Sequence, residues 1–436
     1  MTSAEAAVAL PLAERCTAAV RRLADHLRDP QRVTAAIASH RSQTQFPRTA
    51  HWRAASIAQG DAGIALACGA LDAAYPDEGW DRVGHLWLSR AVLTPTPGKQ
   101  PGAYGLLTGA TGLSLAAWRL SRGGRRYRRL QDSLDSGMLA GIHQQAQRVK
   151  ESRHGVANAD YDVVSGLAGM VAGLLPRQQN PDVHSALLSC IDALVTLADP
   201  AVPPRWFTPP ERTADRGLLT AHPRGHLNLG MAHGVPGIIA ALALAHRCGL
   251  RRNAIQDATA RLTRWVLGNR VDDRWGPNWP SAVSVDPPEV APRPCRGAWC
   301  YGAPGIAGAL GMAAEILNDD ALALLAVDAV LAVHRRPAAV RNIEAPTACH
   351  GMAGLLQVTR RLASTCQDPR LLRAADDIAE SILHREEPDS LMGYRNLEPG
   401  GRPVDHPGLL DGSVGVMLAL LDLTTDTGWD RVLLLA

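Results

Sequence analysis

The sequence has few aromatic residues, little alternation of apolar and polar residues, and no long apolar run. Aromatic residues make up 4% of the 436-residue chain, and only two of them are Phe. Because β-strands are enriched in aromatic and β-branched residues, these shortages argue against a sheet-based fold. The stretch that predicts short strands lies around Ala282 to Val285. Since no run of about 18 uninterrupted apolar residues occurs, no membrane-spanning helix is predicted.

The chain also lacks a strong charge of either sign and a recognisable export signal. Its formal net charge is +3, and acidic and basic residues are mixed along the sequence. This pattern gives no basic footprint for nucleic acid. Residues 1–19 carry acids and bases within an apolar pattern, whereas a secretory signal has a basic head followed by an apolar block. The sequence therefore predicts a cytoplasmic protein that binds no nucleic acid.

Cysteine is sparse for a chain of this length, which argues against a disulfide framework. The eight cysteines are widely spaced, and without an export signal a reducing compartment is expected. Metal-binding or buried free thiols are then the better interpretation. The cysteines that lie within apolar helical patterns are predicted to be small buried residues, and they are Cys16, Cys68, Cys190 and Cys248.

What the sequence has in abundance is a Gly-x-x-Gly motif followed by an apolar stretch. The motif occurs seven times, and the first glycines of consecutive copies are separated by 49 to 68 residues. Those first glycines are Gly60, Gly109, Gly166, Gly234, Gly302, Gly351 and Gly412. Each apolar stretch is apolar on all sides, which predicts a buried helix. Segments between them, such as residues 183–198, 252–267, 319–334 and 368–384, have the mixed pattern of amphipathic helices.

A repeat of this length is typical of closed or stacked repeat architectures. We predict an all-α fold, an α/α toroid in which seven inner and seven outer helices form a double ring, as a single domain over residues 1–436. An open solenoid would also explain the repeats. Closure is favoured because the polar and metal-binding residues cluster at the Gly-x-x-Gly turns. In a ring those turns converge on one central mouth, over which the Pro-rich loops 203–226 and 276–294 would form a rim.

Two neighbouring turns carry soft metal ligands. Cys300 lies two residues before the fifth motif, and Cys349 and His350 directly precede the sixth. A Cys₂His set leaves the fourth position of a tetrahedral zinc ion open, which is the pattern of catalytic rather than structural sites. Cys295 as a fourth ligand would instead give a Cys₃His structural site. Core packing of Cys349 and His350 without any metal is the remaining alternative.

Other turns place polar residues where a scaffold needs none. His233 directly precedes the fourth motif, the same repeat position that His350 has in the sixth, so a role at the mouth is predicted for it. Asp162 lies four residues before the third motif. The structural alternatives are packing or capping for His233, and a helix N-cap for Asp162.

The segment around the first Cys ligand adds a cation and a phenol. Arg296 lies four residues before Cys300, and Tyr301 follows it. We predict that both contribute to the site, the alternatives being an ion pair for Arg296 and packing for Tyr301. His222 and His226, in the rim loop, are expected to be solvated loop residues.

At these residues the chain resembles the lanthionine synthetase C-like family, and within it the stand-alone lanthipeptide cyclases. The matching stretches are Asn-Leu-Gly-Met-Ala-His-Gly-Val-Pro-Gly at 228–237, Ala-Trp-Cys-Tyr-Gly-Ala-Pro-Gly at 298–305 and Cys-His-Gly at 349–351. A weaker match is Tyr-Asp-Val-Val-Ser-Gly at 161–166. The first repeat departs from the family, since Gln59 precedes Gly60 where His is frequent. No dehydratase region precedes the repeats, so the resemblance is to the cyclase alone.

The resemblance implies an α/α toroid with one central zinc ion per chain. The zinc ligands that it implies are Cys300, Cys349 and His350. The residues that it implies around the reaction are Asp162, His233, Arg296 and Tyr301. The family adds cysteine thiols of a precursor peptide to dehydroalanine or dehydrobutyrine, which gives lanthionine and methyllanthionine. The implied partners are the dehydrated peptide and the pathway's dehydratase and exporter, through which a cytoplasmic cyclase would be held at the membrane.

Three competing functions are weighed against cyclisation. A relative that adds glutathione to dehydro residues would have the same zinc site. A scaffold with a structural zinc would need a filled fourth position, for which Cys295 is the candidate. A zinc prenyltransferase shares the double-ring fold class, but it would want an Asp ligand and a basic, aromatic pocket, whereas the chain has two Phe and no basic cluster beside Cys300.

Overall fold

The glycine-opened apolar segments form buried helices in the computed structural model, which describes residues 10–47, 51–93, 102–286 and 292–435. Over these residues the helices are α1 (Leu12–His26), α2 (Pro30–Gln43), α3 (Asp61–Ala74), α4 (Trp80–Leu93), α5 (Ala110–Arg119), α6 (Arg128–Glu151), α7 (Asn158–Tyr161), α8 (Leu167–Leu174), α9 (Pro181–Leu197), α10 (Arg216–Ala221), α11 (Val235–Arg247), α12 (Arg252–Gly268), α13 (Ala303–Leu317), α14 (Asp320–Arg335), α15 (Ala338–Arg341), α16 (Met352–Cys366), α17 (Pro369–Leu383) and α18 (Ser413–Leu421). Short 3₁₀ helices cover Leu175–Arg177, Pro210–Arg212 and Trp429–Leu433.

Each Gly-x-x-Gly sequence opens one inner helix. The first glycine is the N-cap residue, and most side chains of the helix that follows are buried. The inner helices are α3, α5, α8, α11, α13, α16 and α18. Their buried apolar side chains form the core of the ring. The most amphipathic of them is α16, whose Arg360 and Arg361 are not fully buried.

Amphipathic outer helices cover this inner ring. The helices α4, α6, α9, α12, α14 and α17 each pack on the inner helix that precedes them in the chain. The outer partner of α18 is α1, the first described helix of the chain. The helical spacing of apolar residues between Leu12 and Leu27 is explained by this contact, since Cys16, Ala19 and Leu23 are buried. The N-terminal segment therefore completes the last helix pair.

The ring is closed, as the repeats predicted. Each inner helix contacts the next one around the ring, and α18 contacts both α16 and α3. A belt of backbone hydrogen bonds also links the turns of successive repeats. Its donor and acceptor pairs are Ala58–Leu107, Leu107–Val164, Val163–Ala232, Ala232–Cys300, Cys300–Cys349, Cys349–Leu410 and Leu409–Ala58. The α/α toroid is thereby confirmed and the open solenoid excluded.

Strands are short and lie in the long loops. The antiparallel pairs are β1 (His226–Asn228) with β4 (Ala282–Ser284), β2 (Val271–Asp273) with β3 (Gly276–Asn278), and β5 (Arg395–Glu398) with β6 (Arg402–Asp405). The strand predicted around Ala282 to Val285 is confirmed as β4. Among the described residues, no helix is both long enough and apolar enough to cross a membrane.

Two predictions of burial were wrong. Cys248 is exposed, because α11 ends at Arg247 and the thiol lies just beyond it. His226, expected to be solvated, is fully buried in β1, where its Nε2 lies 3.0 Å from Asn158 Nδ2. Burial lowers the pKa of His226 to about 4, so it is a neutral structural residue. His222 is half-buried, and its Nδ1 lies 2.8 Å from the hydroxyl oxygen of Ser284.

Candidate functional site

The belt of backbone hydrogen bonds brings the two ligand-bearing turns into contact. The amide of Cys300 donates to the carbonyl oxygen of Cys349 at 3.2 Å, so residues 49 positions apart are neighbours at the mouth. The candidate ligand atoms of Cys300, Cys349 and His350 all lie within 4.8 Å of one another. Cys300 is buried, whereas the other two are half-buried. The structure therefore brings together the three residues predicted to bind a metal.

The electrostatics of this cluster suit a cation. A hydrogen bond from Cys349 lowers the pKa of the Cys300 thiol well below its ordinary value, and His350 and Arg296 add to the effect against the cost of burial. The pKa of Cys349 is raised by the same contact, so Cys349 keeps its proton and donates it to the Cys300 sulfur, next to an imidazole. A soft divalent metal would replace that proton and take two sulfurs and one nitrogen as ligands. The donor set of this chain fits a zinc ion.

Gly302 gives the first turn its shape. Its φ of 129° lies in a region that side chains rarely adopt, and a Cβ there would stand 1.7 Å from the carbonyl oxygen of Arg296. The chain folds back on itself at this point, since Gly297 and Gly302 form an isolated β-bridge. This fold-back places Cys300 and Tyr301 at the mouth, directly before α13 begins.

Cys295 takes no part in the cluster. Its amide donates to the carbonyl oxygen of Trp279, and its own carbonyl accepts from the side chain of Asn278. These contacts hold it against the loop that contains β3. Within the described ranges, no further Cys, His, Asp or Glu completes a four-residue group with the three predicted ligands. Cys295 is therefore not a fourth member of this group.

His233 and Asp162 form a hydrogen-bonded pair at the same mouth. The Nδ1–H of His233 donates to Asp162 Oδ2 at 2.6 Å. The other carboxylate oxygen of Asp162 accepts from the backbone amides of Ser165 and Gly166, at 2.7 and 2.9 Å. Burial alone would lower the pKa of His233, but the hydrogen bond and the charge of Asp162 outweigh it and raise the pKa. The imidazole therefore keeps a proton more readily than a free histidine does.

Tyr301 and Arg296 complete the surroundings predicted from the sequence. The side-chain amide of Asn228 donates to the hydroxyl oxygen of Tyr301 at 3.0 Å, and the Tyr301 ring lies 6.0 Å from that of His233. Burial raises the pKa of Tyr301, which keeps the phenol protonated. Arg296 and His350 line one cavity. In the part of the chain that is described, the guanidinium of Arg296 forms no ion pair.

One residue of the site, Asp411, was not predicted from the sequence. Its Oδ1 lies 3.4 Å from His350 Nδ1 and, within the described residues, is buried without a hydrogen-bond partner. Asp411 directly precedes Gly412, the repeat position that His233 and His350 have before their own motifs. This shared position in the repeat is the sequence signal from which Asp411 could have been predicted. A carboxylate at this place can orient a histidine that binds a metal.

Comparisons with known proteins agree with this geometry. The family model for lanthionine synthetase C-like proteins matches residues 51–434. Nisin biosynthesis protein NisC of Lactococcus lactis subsp. lactis is 25% identical over 311 residues, which cover 67% of this chain and 72% of that protein. A solved structure of nisin cyclase matches with a TM-score of 0.75 at 21% identity, over 93% of this chain and 97% of that one. At that identity the structural match shows the fold.

Proposed function

The chain belongs to the lanthionine synthetase C-like protein family, and we propose that it is a zinc-dependent lanthipeptide cyclase. It adds cysteine thiols of a precursor peptide to dehydroalanine or dehydrobutyrine and so forms lanthionine and methyllanthionine rings. The observation that carries the proposal is the cluster of Cys300, Cys349 and His350 at the mouth of the ring. The similarity to a nisin biosynthesis protein supports the same class of reaction.

Cys300, Cys349 and His350 would hold the zinc ion. When bound, the zinc supplies a Lewis-acid site that favours the thiolate form of the substrate cysteine. This matters because a free thiol with a pKa near 8.5 is only a few per cent thiolate at about pH 7. Asp411, next to His350, would orient that ligand.

The reaction makes one C–S bond and moves one proton. The thiolate attacks the β-carbon of the dehydro residue, and the electron pair of the alkene moves onto the conjugated carbonyl as an enolate. The guanidinium of Arg296, without an ion pair among the described residues, would stabilise that negative charge. A proton must then reach the α-carbon. The product has the same composition as the reactant, because the thiol loses the proton that the α-carbon gains.

His233 is the proton donor in this proposal. Its Nδ1 is bound to Asp162, so Nε2 is the nitrogen that can give a proton to the enolate. Asp162 holds the ring in place and favours the imidazolium form. Tyr301, held by Asn228, is positioned to hydrogen-bond the peptide near the same mouth. These four roles use each site residue that the sequence predicted apart from the metal ligands.

The proposal extends to where and with what the enzyme works. The substrate is a precursor peptide whose Ser and Thr residues have already been dehydrated, so a dehydratase must act first. An exporter of the same pathway would take the product. We place the reaction in the cytoplasm, with any membrane association made through those partners.

The test is cyclisation of a dehydrated peptide by the purified, zinc-loaded chain. Ring formation leaves the peptide mass unchanged and removes its free thiols, so later alkylation by iodoacetamide should no longer add mass. Glutathione is added to the assay to distinguish cyclisation from the main competing function, the addition of glutathione to dehydro residues. That addition would raise the peptide mass by one glutathione. Retained thiols and no adduct would support a scaffold that only binds the peptide. Cys349→Ala is the matched inactive variant.

A further inference from the structure

A cavity beside the candidate metal cluster has a second wall that the proposed reaction does not use. The cavity has a volume of about 320 Å³. Its lining combines Arg296, His350 and Asp411 of the candidate site with residues of strand β5, of α2 and of the segment that follows α2. Gln59, Pro399 and His406 complete the lining. Its volume is at the lower end of the range for ligand sites, so it suits one side chain rather than a folded partner.

Asn396 and Glu398 point from β5 into this cavity. Being two residues apart on one strand, they lie on the same face. Both are buried, whereas the alternate residues Arg395 and Leu397 are only half-buried. Both residues line the cavity. The hairpin thus presents an amide and a carboxylate, side by side, to the space next to His350.

Asn396 has unmet hydrogen-bonding capacity. The residue is 7% exposed, and its side-chain oxygen Oδ1 is buried without a hydrogen-bond partner among the described residues. A buried amide oxygen left without a partner destabilises the folded protein. Because an amide offers one acceptor and two donors, it is suited to pair with a peptide backbone group.

The carboxylate of Glu398 is buried and forms no ion pair with any described residue. It accepts hydrogen bonds from the Thr44 hydroxyl and from the backbone amide of Gln45, which are both neutral donors. No Lys, Arg or His of the described ranges lies within ion-pair distance of it, and the residue is 7% exposed. Arg296 and His40 line the same cavity at a greater distance, and Arg296 faces two carboxylates there, those of Glu398 and Asp411. Buried charges in proteins are normally paired, so a cation from outside the chain would complete this site.

We propose that this cavity is a subsite for a cationic side chain of the precursor peptide, Lys or Arg, close to the reacting cysteine. The cation pairs with Glu398, the peptide backbone pairs with Asn396, and the aliphatic stem packs on Phe46, which lines the same cavity and is 47% exposed. The proposal rests on the proposed function, because the ligand is the cyclase substrate. The subsite would let the enzyme prefer peptides with a cationic residue near the reacting cysteine, a preference that the metal and His233 alone would not supply.

The test uses two dehydrated peptides that differ only at the residue next to the reacting cysteine, Lys in one and Gln in the other. We expect the KM of the Lys peptide to be about tenfold lower, which corresponds to one charge-assisted hydrogen bond. Glu398→Gln should abolish this difference by raising the KM of the Lys peptide alone. Glu398→Arg should reverse the preference towards a third peptide with Glu at that place. Glu14→Gln, at an exposed position, is the matched control and should keep the preference.

The outcomes distinguish a failure of the proposed subsite from a failure of the proposed function. Equal KM values for the Lys and Gln peptides in the wild-type chain, with both cyclised, would overturn the subsite while leaving the cyclase intact. If neither peptide is cyclised, the proposed function fails instead. A purely structural role of Glu398, as an anchor for Thr44 and Gln45, would slow both peptides alike in Glu398→Gln and so would also refute the proposal. Affinity for peptides with Ser in place of Cys gives the same comparison without catalysis.

Discussion

His233 is held by a carboxylate that is itself fixed by two backbone amides, so the ring has a defined place at the mouth. Loss of a general acid typically costs about 10²–10⁴ in rate. We therefore expect His233→Asn to bind zinc fully and to cyclise dehydrated peptide more slowly by that factor. Single-turnover cyclisation and metal analysis of the same sample measure both quantities. Loss of zinc would make His233 a ligand, and an unchanged rate would place the proton donor elsewhere.

The pair with Asp162 also predicts a dependence on pH. The carboxylate raises the pKa of His233, so the protonated form persists to a higher pH than in a free histidine. A general acid is active below its pKa, and the rate falls as pH rises through it. Asp162→Asn removes the charge that favours the imidazolium form. Its cyclisation rate should therefore begin to fall at a lower pH than that of the wild type. A shift of this limb towards higher pH would contradict the assigned roles.

Asp411 provides a test that does not depend on catalysis. Removing a carboxylate that orients a metal-binding histidine typically costs about 10–100-fold in metal affinity. Asp411→Ala should show a loss of that size in a zinc competition assay with a chromophoric chelator. Asp389→Ala, at an exposed position, is the matched control. Equal zinc affinity in both variants would mean that Asp411 is only packed beside His350.

The residue types that form the site could be predicted from the sequence, but the contacts between them could not. Cys300, Cys349, His350 and His233 were predicted because cysteines and imidazoles recur at the two positions directly before the Gly-x-x-Gly motif. Asp411 has the same register and was missed, since an aspartate before a glycine is also an ordinary capping residue. The burial of His226 depends on Asn158 of α7 and Ser284 of β4, which are distant in the sequence. No local pattern contains such contacts.

At the scale of the element, the turn before α13 depends on one glycine. A side chain at Gly302 would have to avoid both an unfavourable φ and the carbonyl oxygen of Arg296. Gly302→Ala should lower the free energy of unfolding by more than about 2 kcal/mol and weaken zinc binding, because the fold-back positions Cys300. Gly400→Ala is the control: its φ is +84° but nothing lies within 4 Å of the added Cβ. The control should lose only about 1–2 kcal/mol, measured by urea unfolding.

The sequence predicted where the helices lie in the chain better than it predicted which helices pack against each other. The apolar stretches and their glycines marked where each inner helix begins, because both features act within one turn of the chain. The partner of α18 could not be predicted in this way. The amphipathic pattern of α1 indicates that one face is buried, but α18 lies about 400 residues away in the sequence, and only the closed ring decides the contact. The short strand pairs of the rim loops are set in the same non-local manner.

At the scale of the whole molecule, nothing in the described contacts divides the ring into independent parts. Each inner helix packs on two neighbours, and the belt of backbone hydrogen bonds passes through all the turns without a break. The N-terminal helix α1 also ties the two ends of the chain together, because it packs on both α17 and α18. An architecture with free ends can lose terminal repeats one at a time, whereas a closed ring must open two interfaces at once.

We therefore predict that residues 1–436 unfold as a single domain. In the metal-free protein, helix loss measured by circular dichroism and tryptophan fluorescence should give coincident urea transitions, because the buried Trp87, Trp279, Trp299 and Trp429 report from separate parts of the ring. Deleting residues 1–28 removes α1 and should abolish the cooperative transition, since α18 then loses its outer partner. The control deletes residues 1–9, which precede that helix. Two separated transitions in the full chain, or a stable fragment after limited proteolysis, would show that the ring consists of more than one folding unit.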